Sequence, residues 1–290
     1  MKVMITGGAG FIGQHIAQKL TKVGYEVSVF DIRGPSKYGK LIKGNVFDFP
    51  DLKKVVEKHD VIVHLVGLPD ARAAQEDPME SFKLNVFSLQ NVLEACRLGN
   101  KKIIFPSTAA VYGVTQDLPI NENHPLNPNN VYSWHKSICE KLILTYSQNF
   151  DVDYVILRLF NVYGRGNKGV IYSFVDKAKR GDSIEVFGVE QYRDFVHAGD
   201  VADAFYSSII REAANRKIIN IGSGKGIKIK EILQMVHKIY PNAKVVSKES
   251  KLVEYDSVAD ISLAKALLNF RPQTSKKFME KIIKEEIVNE

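Results

Sequence analysis

The chain begins with an apolar segment that runs directly into a cluster of glycines. Residues 2–6 read KVMIT, residues 7–13 read GGAGFIG, and the amphipathic QHIAQKL follows. This order lets the backbone turn tightly and bring a helix N-terminus, with its unpaired N–H groups, against a pyrophosphate. A strand before the glycines and a helix after them form the context that a dinucleotide-binding loop needs. The segment therefore predicts a fold that opens with a βαβ unit.

Short apolar segments continue to alternate with helical patterns through the first half of the chain. Strands are predicted at 26–30, 60–66, 102–107 and 153–160, helices at 12–23, 79–98 and 131–148, and a loop after the second strand. Such alternation is typical of a parallel sheet covered on both faces. The fold class predicted for this half is α/β, a doubly wound parallel sheet of the Rossmann type.

The pattern loosens after Gly164, where glycines punctuate the chain. A helix near 170–180, a strand at 184–188, a helix at about 200–213, a strand at 218–222 and two later helices are predicted. We expect a nucleotide-binding domain of residues 1–163, to which 192–220 return. Residues 164–191 and 221–290 are expected to form a smaller α/β substrate-binding lobe.

Composition excludes several classes of protein. The formal net charge is +7, but the lysines alternate with acids and form no aromatic-basic pattern, so no nucleic-acid partner is expected. The first residues fit neither a secretory signal nor a spanning helix, so we expect a cytoplasmic chain without a membrane partner. Cys96 and Cys139 lack metal-ligand spacing and are interpreted as reduced structural thiols, with no metal site.

A carboxylate follows the second predicted strand. Asp31 lies 18 residues beyond Gly13, where a carboxylate would accept hydrogen bonds from the adenosine ribose of a dinucleotide. Because the same carboxylate would repel a 2′-phosphate, NAD is favoured over NADP. Arg33 is the opposing signal, since an arginine can pair with that phosphate.

Hydroxyls and a tyrosine–lysine pair supply the candidate chemistry. The stretch FPSTAAVYG (105–113) ends an apolar run in Ser107 and Thr108, and Tyr132 and Lys136 follow one helical turn apart. A tyrosine titrates near 10, so lowering its pKa to near 7 requires roughly 4 kcal/mol of preferential stabilisation of the anion. An adjacent ammonium together with a cationic nicotinamide is expected to supply it.

These motifs together resemble a known family. The stretches are TGGAGFIG, PSTAAVYG, YSWHK, RLFNVYG, QYRDFVHAGDVADAF, NIGSGKG and VADIS with LLNFRP. With them the chain resembles the extended short-chain dehydrogenases/reductases, within these the NAD-dependent epimerase/dehydratase group, and in particular the UDP-glucose (UDP-galactose) 4-epimerases. The resemblance implies NAD as cofactor and a nucleotide sugar, most readily a UDP-sugar, as substrate.

The resemblance also implies roles for individual residues. Tyr132 would remove a proton from a sugar hydroxyl, Thr108 would hold or relay that proton, and Lys136 would bind the nicotinamide ribose. Besides Tyr132 and Lys136, the implied cofactor-binding residues are Gly7, Gly10, Phe11, Ile12, Gly13, Asp31, Asn45, Val46, Val66, Gly67 and Asn85. Besides Thr108, the implied substrate-binding residues are Asn161, Gly169, Val170, Arg193 and Ser257.

Several positions depart from the family pattern. Relatives commonly carry a second arginine before VADIS, a place where this chain offers only Lys248 or Lys251. Arg193 is expected at the sugar-nucleotide diphosphate, with a salt bridge inside Arg193–Asp194–Phe195 as the structural alternative. Trp134 and His135 stand where relatives have small residues, and we interpret them as packing or interface residues.

Two alanines narrow the reaction. The dehydratases of this family carry acids directly after the threonine, whereas this chain has Ala109 and Ala110. Oxidation and reduction remain, which give epimerisation if the ketone intermediate turns over within the site. Open alternatives are a net sugar or small-alcohol dehydrogenase, and an NAD-binding sensor or scaffold without turnover.

Two further expectations come from the resemblance. A homodimer is expected, in which helices 79–98 and 131–148 pair with their symmetry mates. Apolar residues such as Leu89, Val92, Leu142 and Ile143 support it, although some of them must face the protomer's own sheet. A bulky residue at the position of Ser257 excludes N-acetylated sugars in such epimerases, so a serine predicts that UDP-N-acetylhexosamines are accepted as well.

Overall fold

The computed structural model describes residues 1–115, 117–248 and 255–288 of the 290-residue chain. Its strands are β1 Lys2–Thr6, β2 Glu26–Asp31, β3 Lys40–Lys43, β4 Val61–His64, β5 Lys102–Thr108, β6 Tyr154–Leu159, β7 Asn161–Tyr163, β8 Ile184–Val186, β9 Tyr192–His197, β10 Lys217–Ile221, β11 Gly226–Lys228 and β12 Val245–Ser247. Its α-helices are α1 Phe11–Lys22, α2 Phe49–Glu57, α3 Ala71–Glu76, α4 Pro78–Phe82, α5 Ser88–Gly99, α6 Val131–Phe150, α7 Val170–Arg180, α8 Ala198–Ile210, α9 Ile229–Ile239, α10 Ser262–Leu268 and α11 Lys276–Ile282. Lys83–Phe87 and Ile283–Ile287 form π-helical turns, and Ala109–Tyr112 and Glu212–Ala214 form 3₁₀ turns.

Seven strands form one parallel sheet in the order β10-β6-β5-β4-β1-β2-β3. Helices α1, α8 and α10 pack on one face, and α2, α5 and α6 pack on the other. The doubly wound parallel sheet predicted from the sequence is therefore confirmed. The strand order reverses between β1 and β4, and in such sheets a ligand binds beyond the carboxyl ends of the strands at that point.

The region after β2, predicted as a loop, instead contains β3 and α2. The side chain of Asp48 caps α2 by accepting from the backbone N–H of Asp51 at 3.2 Å, and a proline lies in the first turn. Leu52, Val55 and Val56 recur at helical spacing and are buried against the sheet. The prediction was wrong although the local signal was present. The described residues after β10 likewise contain three α-helices, α9, α10 and α11, rather than the two that were predicted.

The smaller lobe has a core of its own. A three-stranded sheet (β11-β9-β7) and a two-stranded sheet (β12-β8) pack with α7, α9 and α11. Residues 259–270, expected in this lobe, instead pack with α1 and α8 in the core under the large sheet. We therefore propose that the large domain includes this returning segment and 198–220, whereas β7 and β9, which were expected in the large domain, belong to the sheet of the smaller lobe.

Apolar residues of the two helical segments predicted to pair between protomers divide into two groups. Leu89, Val92 and Ile143 are fully buried, and Leu142 packs on the same core, so these residues face the protomer's own sheet. These four therefore belong to the apolar residues that were expected to face the protomer's own sheet, and the pairing of the helices between protomers stays a prediction. The exposed apolar side chains of these helices are Met79, Phe82, Phe87, Leu98, Trp134, Ile138 and Phe150.

The structure also bears on membrane, metal and thiol chemistry. Within 1–115, 117–248 and 255–288, no helix has both the length and the apolar composition needed to cross a bilayer. The same residues contain no group of three or more histidine, cysteine or acidic side chains suited to a metal ion. Cys96 and Cys139 are buried free thiols, and burial raises the pKa of Cys139 to about 12. These two cysteines are therefore protonated at neutral pH.

Candidate active site

The glycine loop lies at the carboxyl end of β1 and leads into α1. Gly7 has a φ of +67°, and a Cβ on it would lie 2.8 Å from the backbone nitrogen of Val66. A Cβ on Gly13 would lie 2.6 Å from the Cα of Gly8, so the helix could not approach the loop as closely. Gly10 caps α1 without a side chain, and Phe11 and Ile12 are its first two residues. This cradle of bare backbone at a helix N-terminus fits the pyrophosphate of a dinucleotide.

Asp31 faces this loop from the end of β2. Its carboxylate accepts from the backbone N–H groups of Ala9 at 3.1 Å and Arg33 at 3.0 Å. The side chain is half-buried, so the carboxylate keeps an exposed edge beside the glycines. This position is the one that a ribose-binding acid requires. The side chain of Arg33 is exposed.

The other predicted cofactor residues lie on the loops that follow β3 and β4. The amide oxygen of Asn45 accepts from the N–H of Phe47 at 3.0 Å, and the side chain of Val46 is buried in the core. Val66 and Gly67 directly follow β4 at the switch point of the sheet and are half-buried. Asn85 is 2% exposed, and its side chain is hydrogen-bonded to the backbone of Leu68 and to Ser81. In this structure it supports the loop rather than opening onto solvent.

Thr108, Tyr132 and Lys136 come together where β5 ends and α6 begins. The start of α6 is fixed by a capping box, in which Asn130 accepts from the N–H of Ser133 at 2.9 Å and the Ser133 hydroxyl accepts from the N–H of Asn130. Tyr132 is consequently in the first turn of the helix and interacts with the Thr108 hydroxyl. The end of β5 and the capping box of α6 thus position the predicted catalytic residues.

Lys136 is almost completely buried. Its Nζ donates to the carbonyl oxygen of Pro106 at 2.9 Å and lies 4.4 Å from the ring centroid of Phe105. Burial lowers its pKa, although the nearby Glu140 carboxylate opposes that shift. The ammonium is therefore held directly beneath the strand end that carries Thr108.

The pKa of the Tyr132 phenol is raised in the protein alone. Desolvation raises the pKa of its phenol to about 12, and the interaction with Thr108 only partly offsets this. The ammonium of Lys136 is directed at Pro106 and Phe105 instead. The protein alone therefore keeps the phenol protonated, and the lowering expected from Lys136 together with a cationic nicotinamide stays a prediction.

Sequence reasoning missed a buried ionic network behind this group. Glu140, one turn beyond Lys136, forms a two-pronged ion pair with Arg158 of β6, at 2.7 and 3.0 Å. The Ser107 hydroxyl donates to the same carboxylate. Arg158 also donates to the Tyr112 hydroxyl at 2.8 Å, which in turn donates to Asn220 at 2.7 Å. The sequence signal for this network was one arginine, Arg158, inside the otherwise apolar strand segment YVILRL.

The predicted sugar-nucleotide residues lie on neighbouring segments of the smaller lobe. Asn161 of β7 is paired with Phe195 of β9. Arg193, which also lies in β9, forms a β-bridge with Ser257. The guanidinium of Arg193 donates to Gln191 and to the carbonyls of Tyr192 and Tyr255. Gly169 and Val170 form the N-terminus of α7, and the Val170 side chain is exposed. The structure therefore gathers Asn161, Arg193 and Ser257 and places Gly169–Val170 at a helix start.

Asp194, next to Arg193, has a structural role. Its carboxylate accepts from Ser223, through N–H at 2.6 Å and hydroxyl at 2.7 Å, and from the N–H groups of Gly224 and Ala259. It thereby ties the strand bearing Arg193 to the VADIS segment. Lys248 forms an ion pair with Glu185 at 2.5 Å, and Lys251 lies outside the described residues.

A protein-family model matches most of this chain. The model described as the NAD dependent epimerase/dehydratase family matches residues 3–222, which span the glycine loop, Thr108, Tyr132, Lys136 and Arg193. The chain belongs to this family. Its members are NAD-dependent, and the glycine cradle and Asp31 fit that cofactor.

Individual relatives carry names from more than one reaction class. The chain is 33% identical to a putative UDP-glucose 4-epimerase of Methanocaldococcus jannaschii over 91% of this chain and 92% of that protein. It is 34% identical to a UDP-N-acetyl-alpha-D-glucosaminuronate decarboxylase of Bacillus cytotoxicus, over 84% and 82%. The crystal structure of UDP-glucose 4-epimerase from Brucella ovis in complex with NAD superposes with a TM-score of 0.92 at 29% identity, covering 99% and 98% of the two chains.

Proposed function

We propose that this protein is an NAD-dependent epimerase that inverts C4 of a nucleotide-linked hexose, with UDP-glucose and UDP-galactose as its substrates. The observation that carries this proposal is the convergence of Thr108, Tyr132 and Lys136 beside the glycine cradle, with alanines at 109 and 110. The names of the epimerase relatives support the substrate class.

The proposed mechanism assigns a role to Thr108, Tyr132 and Lys136. Bound NAD supplies a reversible acceptor for the hydride of C4. Tyr132 takes the proton of the C4 hydroxyl, and Thr108 holds or relays that proton. Lys136 binds the nicotinamide ribose and stabilises the phenolate. Because burial holds the pKa of Tyr132 near 12, the phenol becomes a base only when positive charge enters the site with the cofactor. Return of hydride and proton to the turned 4-keto sugar gives the inverted centre.

The decarboxylase relative makes decarboxylation the competing reaction. The resemblance places the acid of decarboxylating enzymes in the stretch occupied here by Ala109 and Ala110. The nearest buried acid, Glu140, is fully engaged by Arg158 and Ser107. These contacts favour oxidation and reduction without elimination or loss of carbon dioxide.

The test is Tyr132→Phe assayed with UDP-glucose and UDP-galactose. We expect the variant to bind NAD and to lose turnover by roughly 10²–10⁴-fold, since it lacks only the proton acceptor. Tyr146→Phe is the matched control, because Tyr146 lies on the same helix and bonds only Gln90 and Glu94. Near wild-type turnover by Tyr132→Phe would exclude the mechanism.

Net dehydrogenation is separated from epimerisation by the fate of the cofactor. An epimerase interconverts the two hexoses at constant NAD and accumulates no NADH. A dehydrogenase consumes NAD stoichiometrically with sugar. Accumulation of NADH in step with product, measured by absorbance, would therefore establish the alternative function.

We further propose that the sugar pocket accepts N-acetylated hexoses. Ser257 is partly exposed, and its backbone bonds to Tyr192 and Asp194 on both sides of Arg193. A serine there leaves space that a tyrosine would fill. A pocket of this kind rejects an N-acetylated sugar mainly because a bulky side chain clashes with the acetamido group. We expect Ser257→Tyr to reduce turnover of UDP-N-acetylglucosamine much more than turnover of UDP-glucose. Wild type that epimerises only the plain sugar would refute this.

We also propose a homodimer built on the exposed apolar face of α4, α5 and α6. Met79 is 78% exposed and Trp134 is 55% exposed, Phe82 and Ile138 lie on the same two helices, and Phe87 ends the π-helical turn before α5. Exposed apolar side chains gathered on adjacent helices are typical of a protein–protein contact.

A further inference from the structure

The catalytic helix holds a second segment of the chain through two side chains one turn apart. Nδ1 of His135 lies 2.9 Å from the hydroxyl of Ser81, and the thiol of Cys139 donates to the carbonyl oxygen of Asn85 at 3.3 Å. Ser81 is in α4, and Asn85 is in the π-helical turn that follows. Helix α6 thus fixes both ends of the 81–85 segment.

The same segment clamps the loop that follows β4. The amide oxygen of Asn85 accepts from the N–H of Leu68 at 3.2 Å, and its Nδ2 donates to the Leu68 carbonyl at 3.3 Å. A Cβ on Gly67 would lie 2.5 Å from that amide oxygen, so the loop passes against Asn85 with no room for a side chain. The Asn85 amide therefore sets the position of the Gly67–Leu68 backbone.

Ser81 links the two halves of this arrangement. Its hydroxyl accepts from Nδ2 of Asn85 at 3.2 Å and lies on His135, and all three side chains are buried. Burial lowers the pKa of His135, which favours the neutral imidazole, and Nδ1 shares one hydrogen bond with the Ser81 hydroxyl, whose donor is set by the imidazole tautomer. A continuous hydrogen-bonded chain thus runs from the residue before Lys136 to the loop beside the glycine cradle.

We propose that His135, acting through Ser81 and Asn85, is a positioning residue that sets the Gly67–Leu68 loop for NAD. The inference rests on the proposed placement of NAD against Gly67 and on no assumption about the sugar. It gives a function to a histidine that departs from the small residue usual in relatives. These hydrogen bonds couple the helix that bears Tyr132 and Lys136 to the Gly67–Leu68 loop on the other side of the cofactor site. Movement of the helix therefore displaces the loop.

Two substitutions at position 135 separate hydrogen bonding from packing. His135→Phe keeps a ring against Phe82, whose centroid lies 5.5 Å away, but cannot form the hydrogen bond with Ser81. His135→Asn places an acceptor at the position of Nδ1. We expect the dissociation constant for NAD to rise roughly tenfold in the phenylalanine variant, through the unpaired Ser81 hydroxyl, and to recover to within about threefold in the asparagine variant.

Ser81→Ala tests the chain from its other side. It should weaken NAD to a similar degree, and combining it with His135→Phe should add little, because both variants remove one shared interaction. His59→Phe is the matched control, since His59 is also buried and its Nδ1 lies 2.7 Å from the carbonyl of Val55, away from the site. That control should lower thermal stability without changing NAD affinity.

Isothermal titration with NAD, together with thermal unfolding and steady-state kinetics, decides the matter. Loss of NAD affinity in His135→Phe and Ser81→Ala, rescue by His135→Asn, and an unchanged KM for the sugar support the proposal. NAD affinity within twofold of wild type in both disrupting variants overturns it, as does additive loss in the double variant. A wild type that binds NAD but does not epimerise would refute the proposed function alone, because the binding measurement needs no turnover.

Discussion

At the scale of single residues, Lys136 places an ammonium in a buried environment that disfavours its charged form. Its ammonium is buried beneath the end of β5 and is compensated mainly by the carbonyl of Pro106 and the ring of Phe105. Desolvation lowers its pKa, so the charged form is less stable here than in water. A residue that lowers stability yet occupies the centre of a site is expected to be retained for its chemistry.

Lys136→Met should therefore separate stability from function. We expect the melting temperature to stay equal or rise, because the methionine removes a buried charge, while the dissociation constant for NAD rises roughly tenfold or more through loss of a charged donor. Lys102→Met is a suitable control, since Nζ of Lys102 also donates to a backbone carbonyl, that of Ser208, and burial also lowers its pKa. Calorimetry and NAD titration of both variants provide the measurement, and unchanged NAD affinity in Lys136→Met would contradict the role.

At the scale of elements, the Glu140–Arg158 pair fastens α6 to the sheet. The carboxylate comes from the catalytic helix, the guanidinium from β6, and the Ser107 hydroxyl from β5. Both charged side chains are nearly inaccessible, at 2% and 4% exposure. A buried pair of this kind is sensitive to the removal of one partner, which leaves the other charge unpaired.

Glu140→Gln is therefore expected to lower the free energy of unfolding by roughly 3–5 kcal/mol. The double variant Glu140→Gln, Arg158→Met should lose less than the sum of the two single losses, because no unpaired charge remains. Glu57→Gln, which removes the exposed pairing of Glu57 with Lys53, should cost less than about 1 kcal/mol. Denaturant unfolding of the four variants tests this, and additive losses at Glu140 and Arg158 would contradict the coupling.

At the scale of the whole molecule, the exposed apolar face of α4–α6 lies on the outer surface of the same helix that carries Tyr132 and Lys136. The inward stripe of α6 packs on the sheet through Cys139 and Ile143, while Trp134 and Ile138 face outward. A partner chain on that face would bury Trp134 beside His135. Assembly and the geometry of the cofactor site are then linked through one helix.

Trp134→Glu combined with Ile138→Asp should convert the proposed dimer to a monomer, because two charges would be buried unpaired at the contact. Sedimentation velocity at micromolar concentration measures the outcome. Ile210→Asp introduces a charge at a comparably exposed apolar site at the end of α8 and should leave assembly unchanged. A monomeric wild type would refute the proposal.

Local patterns were enough to predict most elements and the centre of the site. The strand–glycine–helix order predicted the cofactor loop, because Gly7 and Gly13 act on their immediate neighbours, and the bounds of α6 and α7 follow from residues inside those segments. The spacing of Tyr132 and Lys136 is likewise a property of one helix. Local signals also mark α2, namely the Asp48 cap and the helical spacing of Leu52, Val55 and Val56.

Only the tertiary structure decided which distant side chains meet. Glu140 meets Arg158 across 18 positions, and His135 meets Ser81 across 54. The raised pKa of Tyr132 and the inward orientation of Leu89 likewise depend on what the folded chain excludes from water. Sequence periodicity reports the environment of a segment averaged along its own axis, whereas burial and pairing depend on which other segments pack against it. That choice belongs to the sheet order, and no single segment encodes it.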